Sequence, residues 1–169
     1  MADVFVKSCF AFHCSAAEWA LLREAFLLSL DLCAGVEPSP LSTEFMTLFP
    51  CDGEDRWSGF RDLFDDRNYP DFGADLAGGA EESSTSWRAI ISAEVSLDPA
   101  AIAALIQRCC AATLAGGPIR FEWSTSCSRQ LVDAFGGGWC AIFADHVVLE
   151  TTRAALDKAT APSAAGASL

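Results

Sequence analysis

Two stretches of the chain repeat one pattern, a strand followed by a capping residue and an amphipathic helix. The first runs from "VFVKSCFAFHC" into "SAAEWALLREAFLLSLDL", where Ser15 and Glu18 form an S-x-x-E capping box. The second runs from "SWRAIISAEVSL" into "DPAAIAALIQRCCAATLAGG", where Asp98 is the predicted N-cap and Pro99 the first helical residue. A recurring β-α unit restricts the chain to folds in which helices pack on one sheet.

Three further segments complete the predicted order. "PIRFEWSTSCS" predicts a strand over about 118–126, "WCAIFADHVVLET" one or two strands over about 139–150, and "TTRAALDKA" a short helix. This order predicts a single α+β domain over 1–158, with an insertion over 36–86 and a disordered tail over 159–169. We expect a mostly antiparallel sheet of four or five strands with two helices on one face, in a ferredoxin-like or split β-α-β arrangement.

The formal net charge of −12 narrows the classes of partner. An acidic surface repels phosphate, so direct DNA or RNA binding is disfavoured and a protein with a basic surface is favoured; simple solubility is the alternative. No apolar run is long enough to span a membrane, and the N-terminus lacks the features of a signal peptide. We expect a cytoplasmic monomer or homodimer whose eight cysteines are reduced core thiols without a C-x-x-C metal or redox motif.

The inserted segment holds more than half of this charge. Ten acidic residues and three arginines lie within 52–82, interleaved with aromatic residues. Aromatic residues at this density must be buried, and the spacing of Trp57, Phe60 and Phe64 predicts a helix over about 56–65. We expect the insertion to pack one face on the domain and to expose a carboxylate-rich edge. The predicted partner-contacting residues are Asp55, Trp57, Asp62, Asp65, Asp66 and Tyr69.

Three consecutive glycines in "AFGGGWCAIF" raise the question of a phosphate-binding loop. A P-loop requires a lysine after the glycines and a helix after the loop, and a dinucleotide fingerprint also requires a following helix. This chain has no such lysine, and the following residues are strand-like. The glycines therefore predict a turn with positive φ or a bulge at the start of the last strand, and no cofactor is expected.

An alternative function is a small-molecule-binding protein or enzyme. Its pocket would lie between the insertion and the glycine turn, lined by Glu122, Cys127, Trp139 and His146. A Cys127–His146 pair could supply a nucleophile and base, and Glu122 with a second carboxylate could supply acid-base chemistry. A lone histidine on a strand is more often structural, and the acidic loop does not match the EF-hand pattern. The sequence therefore favours a non-enzymatic protein without a metal.

Three stretches carry a resemblance: "FAFHCSAAEWALLREAF", "FPCDGEDRWSGFRDLF" and "IRFEWSTSCSRQLVDAFGGGWCAIFADHVVLETT". Together they resemble small uncharacterised proteins of bacteria and their mobile elements that share an F-E-W…C-S-R…F-G-G-G-W segment. The resemblance covers most of 4–155 and implies no activity, cofactor or catalytic residue. It implies a bacterial or phage-like setting, in which proteins often bind and block a defence or toxin protein. We therefore expect an acidic protein-binding module of the inhibitor or immunity type.

Overall fold

A computed structural model describes residues 2–81 and 86–161. The strands are β1 Val4–Cys14, β2 Asp75–Ala80, β3 Trp87–Ala93, β4 Ile119–Cys127, β5 Gly136–Ile142 and β6 Val147–Thr151. The helices are α1 Ala16–Ala34, α2 Thr43–Leu48, α3 Ser58–Arg61, α4 Pro99–Cys109, α5 Ala111–Ala115 and α6 Thr152–Thr160.

The strands form one antiparallel sheet in the order β2-β3-β1-β4-β5-β6. β3 lies between the two strands joined through α1, and β1 lies between the two strands joined through α4. Both connections are therefore split β-α-β units, which confirms the predicted α+β class and ferredoxin-like arrangement. The sheet has six strands instead of four or five, because β2 lies within the segment assigned to the insertion and both C-terminal strands form.

The capping signals place the two main helices correctly. Ser15 and Glu18 form the complete capping box of α1, and Asp98 accepts hydrogen bonds from the first amides of α4. The second helix, predicted to continue to Gly116, breaks at Cys110 into α4 and α5. After the break, α5 makes a long-range contact in which the Thr113 amide donates to the Glu18 carboxylate at 2.9 Å.

Glu18 ties the two split units together. Its buried carboxylate accepts hydrogen bonds from the amide and hydroxyl of Ser15 and from the amide and hydroxyl of Thr113. Burial alone would raise the pKa of Glu18, but these four hydrogen bonds outweigh it and the pKa is lowered. The capping box was visible in the sequence, whereas the contact with Thr113 had no local signal.

Alternation along the strands divides the sheet into two faces. One face packs on α1 and α4 and contains the buried side chains of Phe12, Ile91, Phe121 and Ile142. The predicted strand at "IRFEWS" is β4, and its side chains alternate between the faces: Ile119 and Phe121 are buried, whereas Arg120 and Glu122 are exposed. The opposite face, called the open face below, has no buried residue among those the structure describes.

The three glycines lie inside β5 and pair one-to-one with β4, so the predicted turn and the alternative bulge are both wrong, although the expected positive φ occurs at Gly137, at 153°. Gly136, Gly137 and Gly138 pair with Thr125, Ser124 and Trp123 of β4. A Cβ atom on Gly138 would collide with the Trp123 indole, and one on Gly137 would collide with the Trp123 carbonyl oxygen. The glycines therefore let β4 and its tryptophan approach β5 closely.

The C-terminal helix α6 extends to Thr160, two residues beyond the predicted domain boundary. The rest of the predicted tail, 162–169, lies outside the described residues. Across 2–81 and 86–161, none of the helices combines the length and hydrophobicity needed to cross a bilayer.

Candidate protein-binding surface

The segment between α1 and β2 is held on the domain by buried aromatic side chains. The Phe60 ring lies 5.6–6.0 Å from the rings of Phe45, Phe49, Phe64 and Phe72. All five phenylalanines are buried in the main core. This region of the predicted insertion is therefore part of the core, and its predicted helix is limited to the four residues of α3.

Hydrogen bonds fasten the same segment at two points. The Ser29 hydroxyl of α1 donates to the carbonyl oxygen of the fully buried Pro70 at 2.6 Å. The Asp98 amide, at the start of α4, donates to the Phe72 carbonyl oxygen at 3.0 Å. Because α1 and α4 hold the backbone on either side of Asp71, the backbone that carries the neighbouring carboxylates has a fixed position. Neither contact has a local sequence signal.

The acidic side chains of this segment point to solvent. Every aspartate and glutamate within 52–75 is exposed. Asp55 pairs with Arg61 at 3.3 Å and Asp62 pairs with Arg67 at 2.9 Å. The others form no ion pair with any residue in the described ranges, and we call all eight carboxylates the acidic surface. Its members are Asp52, Glu54, Asp55, Asp62, Asp65, Asp66, Asp71 and Asp75.

The structure separates the six predicted contact residues into two groups. Asp55, Asp62, Asp65 and Asp66 lie on the acidic surface, and Tyr69 is 58% exposed beside them. Trp57 is only 9% exposed, with the Arg56 guanidinium 4.7 Å from its ring, so it cannot anchor a partner as expected. The sequence-based set omitted Asp52, Glu54, Asp71 and Asp75, although the local charge density was a signal for all of them.

The predicted alternative pocket is divided. Glu122 and Trp139 lie opposite each other on β4 and β5, and Glu150 of β6 lies on the other side of Trp139. Cys127 ends β4, whereas His146 lies in the turn that follows the opposite end of β5. Eight residues of extended strand separate these two ends, about 26 Å. The predicted Cys127–His146 pair therefore does not form.

The partners of His146 are also local. Its Nδ1 atom lies 2.7 Å from an Asp145 carboxylate oxygen, and its ring stacks on Phe143 with centroids 4.4 Å apart. The hydrogen bond with His146 lowers the pKa of Asp145. Both residues are exposed, so the contact is a surface turn.

The buried cysteines are poor nucleophiles. Burial raises the pKa of Cys14 and of Cys140 to about 11 and that of Cys109 to about 12, so these thiols stay protonated near neutral pH. All eight cysteines are free, but Cys9 and Cys51 are exposed, so the expectation that all eight are core thiols is wrong for these two. Within the described part of the chain, no three histidine, cysteine, aspartate or glutamate side chains lie close enough together to hold a metal ion.

Comparisons with protein-family models, with curated proteins and with solved structures find no match to this chain. The resemblance noted from the sequence therefore remains an expectation.

Proposed function

We propose that this protein is a non-enzymatic binding module whose acidic surface contacts a basic surface of another protein. One observation carries the proposal: eight exposed carboxylates lie within or directly after a segment whose five phenylalanines belong to the core. A surface fixed before binding loses little conformational entropy when a partner docks. This property suits a module of the inhibitor or immunity type, which occupies a site on its target.

The charge distribution suggests how the complex forms. Six of these carboxylates form no ion pair within 2–81 and 86–161, and their negative potential accelerates encounter with a cationic protein and makes the rate sensitive to salt. Tyr69 supplies an exposed aromatic ring beside Asp65 and Asp66. Tyrosine is frequently an energetic anchor in protein interfaces, so we assign the anchoring role to Tyr69 instead of Trp57.

The alternative enzyme or ligand-binding function receives less support. Of the four residues predicted to line its pocket, only Glu122 and Trp139 are neighbours. The thiol and imidazole that would perform nucleophilic chemistry are at opposite ends of β4 and β5. These four residues therefore lack the nucleophile–base contact on which covalent catalysis depends.

The proposal can be tested by capturing partners from the native host with the immobilised protein. The test variant changes Asp62, Asp65 and Asp66 to lysine, and we expect it to lose a partner whose capture is salt-sensitive. With the purified partner, the affinity should fall at least about tenfold, mainly through a slower association rate.

A matched control changes Asp3, Glu37 and Asp157 to lysine, which alters the net charge equally at exposed positions that are not members of the acidic surface. The control should retain most of the affinity. Equal losses in both variants would show that only overall charge matters. An unchanged partner set in the test variant would refute the assignment of the surface.

A further inference from the structure

The open face is unusually apolar for a sheet surface left to solvent. A solvated face of an antiparallel sheet normally carries polar side chains. Here the central positions are small or apolar, and Trp139 is 41% exposed. The residues concerned are Cys9, Ala11, Ala77, Ile90, Ser92, Trp139, Ala141 and Val148.

The charges of this face differ from those of the rest of the molecule. Its lysine and arginine residues are Lys7, Arg88 and Arg120, and its acidic residues on the strands are Asp75, Glu122 and Glu150. Glu81 lies 3.6 Å from His13 of this face, and Lys158 of α6 pairs with Glu150. With Glu81 and Lys158, four positive and four negative charges leave the face formally neutral on a chain with a net charge of −12. A second copy of the chain would therefore meet no net repulsion at this face, whereas the acidic surface repels it.

We propose that two copies of the chain pack through their open faces as a symmetric dimer. Two adjacent rows of residues run across the last three strands. One row is Arg120, Ala141 and Val148, and the next is Glu122, Trp139 and Glu150.

The two-fold axis of this dimer lies between the two faces, perpendicular to the strands and midway between the two rows. Rotation about it places each row of one copy opposite the other row of the second copy. Arg120 then faces Glu122 of the second copy, and the same pair forms again by symmetry. Each Trp139 indole faces the small side chain of Ala141 across the interface. On β6 the same axis places Val148 opposite Glu150, whose charge is already paired with Lys158 of its own chain. Charge is therefore complementary at the β4 positions and side-chain size at the β5 positions.

The size of the face is sufficient for a dimer. Six strands spaced about 4.8 Å apart give a width of about 24 Å, and six residues of extended strand give a length of about 20 Å. The two faces would together bury about 1,000 Å², which reaches the lower limit of specific interfaces. The α1 and α4 layer stays free, as do the carboxylates of the acidic surface other than Asp75, which lies on the open face. The dimer is independent of the proposed partner and would present two acidic surfaces.

Sedimentation velocity under reducing conditions tests the dimer directly. We expect a species of twice the 18.0 kDa chain mass, and the same result with Cys9→Ser, which excludes a disulfide between the exposed Cys9 thiols. Arg120→Glu and Glu122→Arg should each weaken the dimer at least about tenfold, because like charges then face each other twice. The double variant R120E/E122R re-forms both pairs and should recover most of the affinity.

Arg129→Glu is the matched control, since this exposed arginine lies in the loop after β4, and it should leave the dimer unchanged. Circular dichroism and thermal unfolding verify that each variant is folded. A chain that stays monomeric at concentrations up to about 100 µM would overturn the proposal, because the dimer would then have less than about 6 kcal/mol of association free energy. A dimer that Arg120→Glu does not weaken, or that the double variant does not recover, would overturn it as well.

Discussion

The two split β-α-β units share one arrangement but differ in how their helices connect to the next strand. In the first unit the chain from α1 to β2 covers 35–74, whereas in the second the chain from α5 to β4 covers only 116–118. The long connection adds α2, α3 and five buried phenylalanines to the core, together with the acidic surface. The comparison shows that the fold tolerates extra chain in one half because the extra chain supplies its own apolar residues.

The largest expected effect tests whether the long connection is integral to the core. We expect Phe60→Ala to lower the free energy of unfolding by about 3–5 kcal/mol, because it opens a cavity among four phenylalanine rings. Tyr69→Ala is the control and should cost less than about 1 kcal/mol, since Tyr69 is exposed. Urea unfolding of both variants measures the difference, and a small effect for Phe60→Ala would mean that the connection is merely appended.

The next effect tests the link between the two units. Glu18→Gln should cost about 2–3 kcal/mol at pH 7, because a buried carboxylate that accepts four hydrogen bonds is replaced by an amide with fewer acceptors. Glu37→Gln, at an exposed position, is the control.

Glu18 also determines the direction in which the free energy of unfolding changes with pH. The pKa of Glu18 is lowered in the folded state, so its contribution is present above the pKa of the unfolded chain, about 4.3. That contribution is lost as the pH falls from about 4.3 through the lowered folded pKa. The stability gap between wild type and Glu18→Gln should therefore shrink in urea titrations below pH 4, and a gap independent of pH would contradict this account.

A smaller loss of stability is expected at the glycines of β5, the strand that follows the second split β-α-β unit. Gly138→Ala should cost about 1–3 kcal/mol, because the new methyl group must displace the Trp123 indole and also approaches the Glu150 carbonyl oxygen. Gly136→Ala is the matched control, since space is open around it. If thermal unfolding shows equal effects for the two substitutions, close approach of Trp123 is not why glycine is required.

The smallest effect concerns the acidic surface itself. Changing Asp65 and Asp66 to lysine should alter the free energy of unfolding by less than about 1 kcal/mol, because both side chains are exposed, neither forms an ion pair with a described residue, and only one exposed hydrogen bond, from the Asn68 amide to Asp66, is lost. Urea unfolding measures this change. A large loss of stability would mean that these carboxylates serve the fold, and the contrast with Phe60→Ala would then disappear.

The predicted and missed elements differ in how local their signals are. The capping residues of α1 and α4 and the alternation of "IRFEWS" act over a few residues, so the sequence predicted both helices and β4. Strand β2, "DLAGGA", has small residues and no alternating pattern, and it is a strand because β3 supplies its partners. The glycines of β5 belong to a strand only because β4 lies beside them.

The features of the candidate site also divide into those with a local sequence signal and those that depend on distant residues. Its charge and its exposed Asp65 and Asp66 were predictable from composition. The burial of Trp57 was not, because it depends on where α3 docks. The contacts of Ser29 with Pro70 and of Asp98 with Phe72 join residues far apart in the chain, and no local pattern reports them.

The central claim is that the acidic surface is carried by a segment locked into the core. Native-state hydrogen exchange of the amides of Phe60, Asp62 and Phe64, each bonded within the segment, tests it most directly. We predict that these amides open with a free energy within about 1 kcal/mol of that for the amides of β1, because both belong to one cooperative core. Exchange of these amides at the rate of an unfolded chain, while β1 stays protected, would contradict the claim.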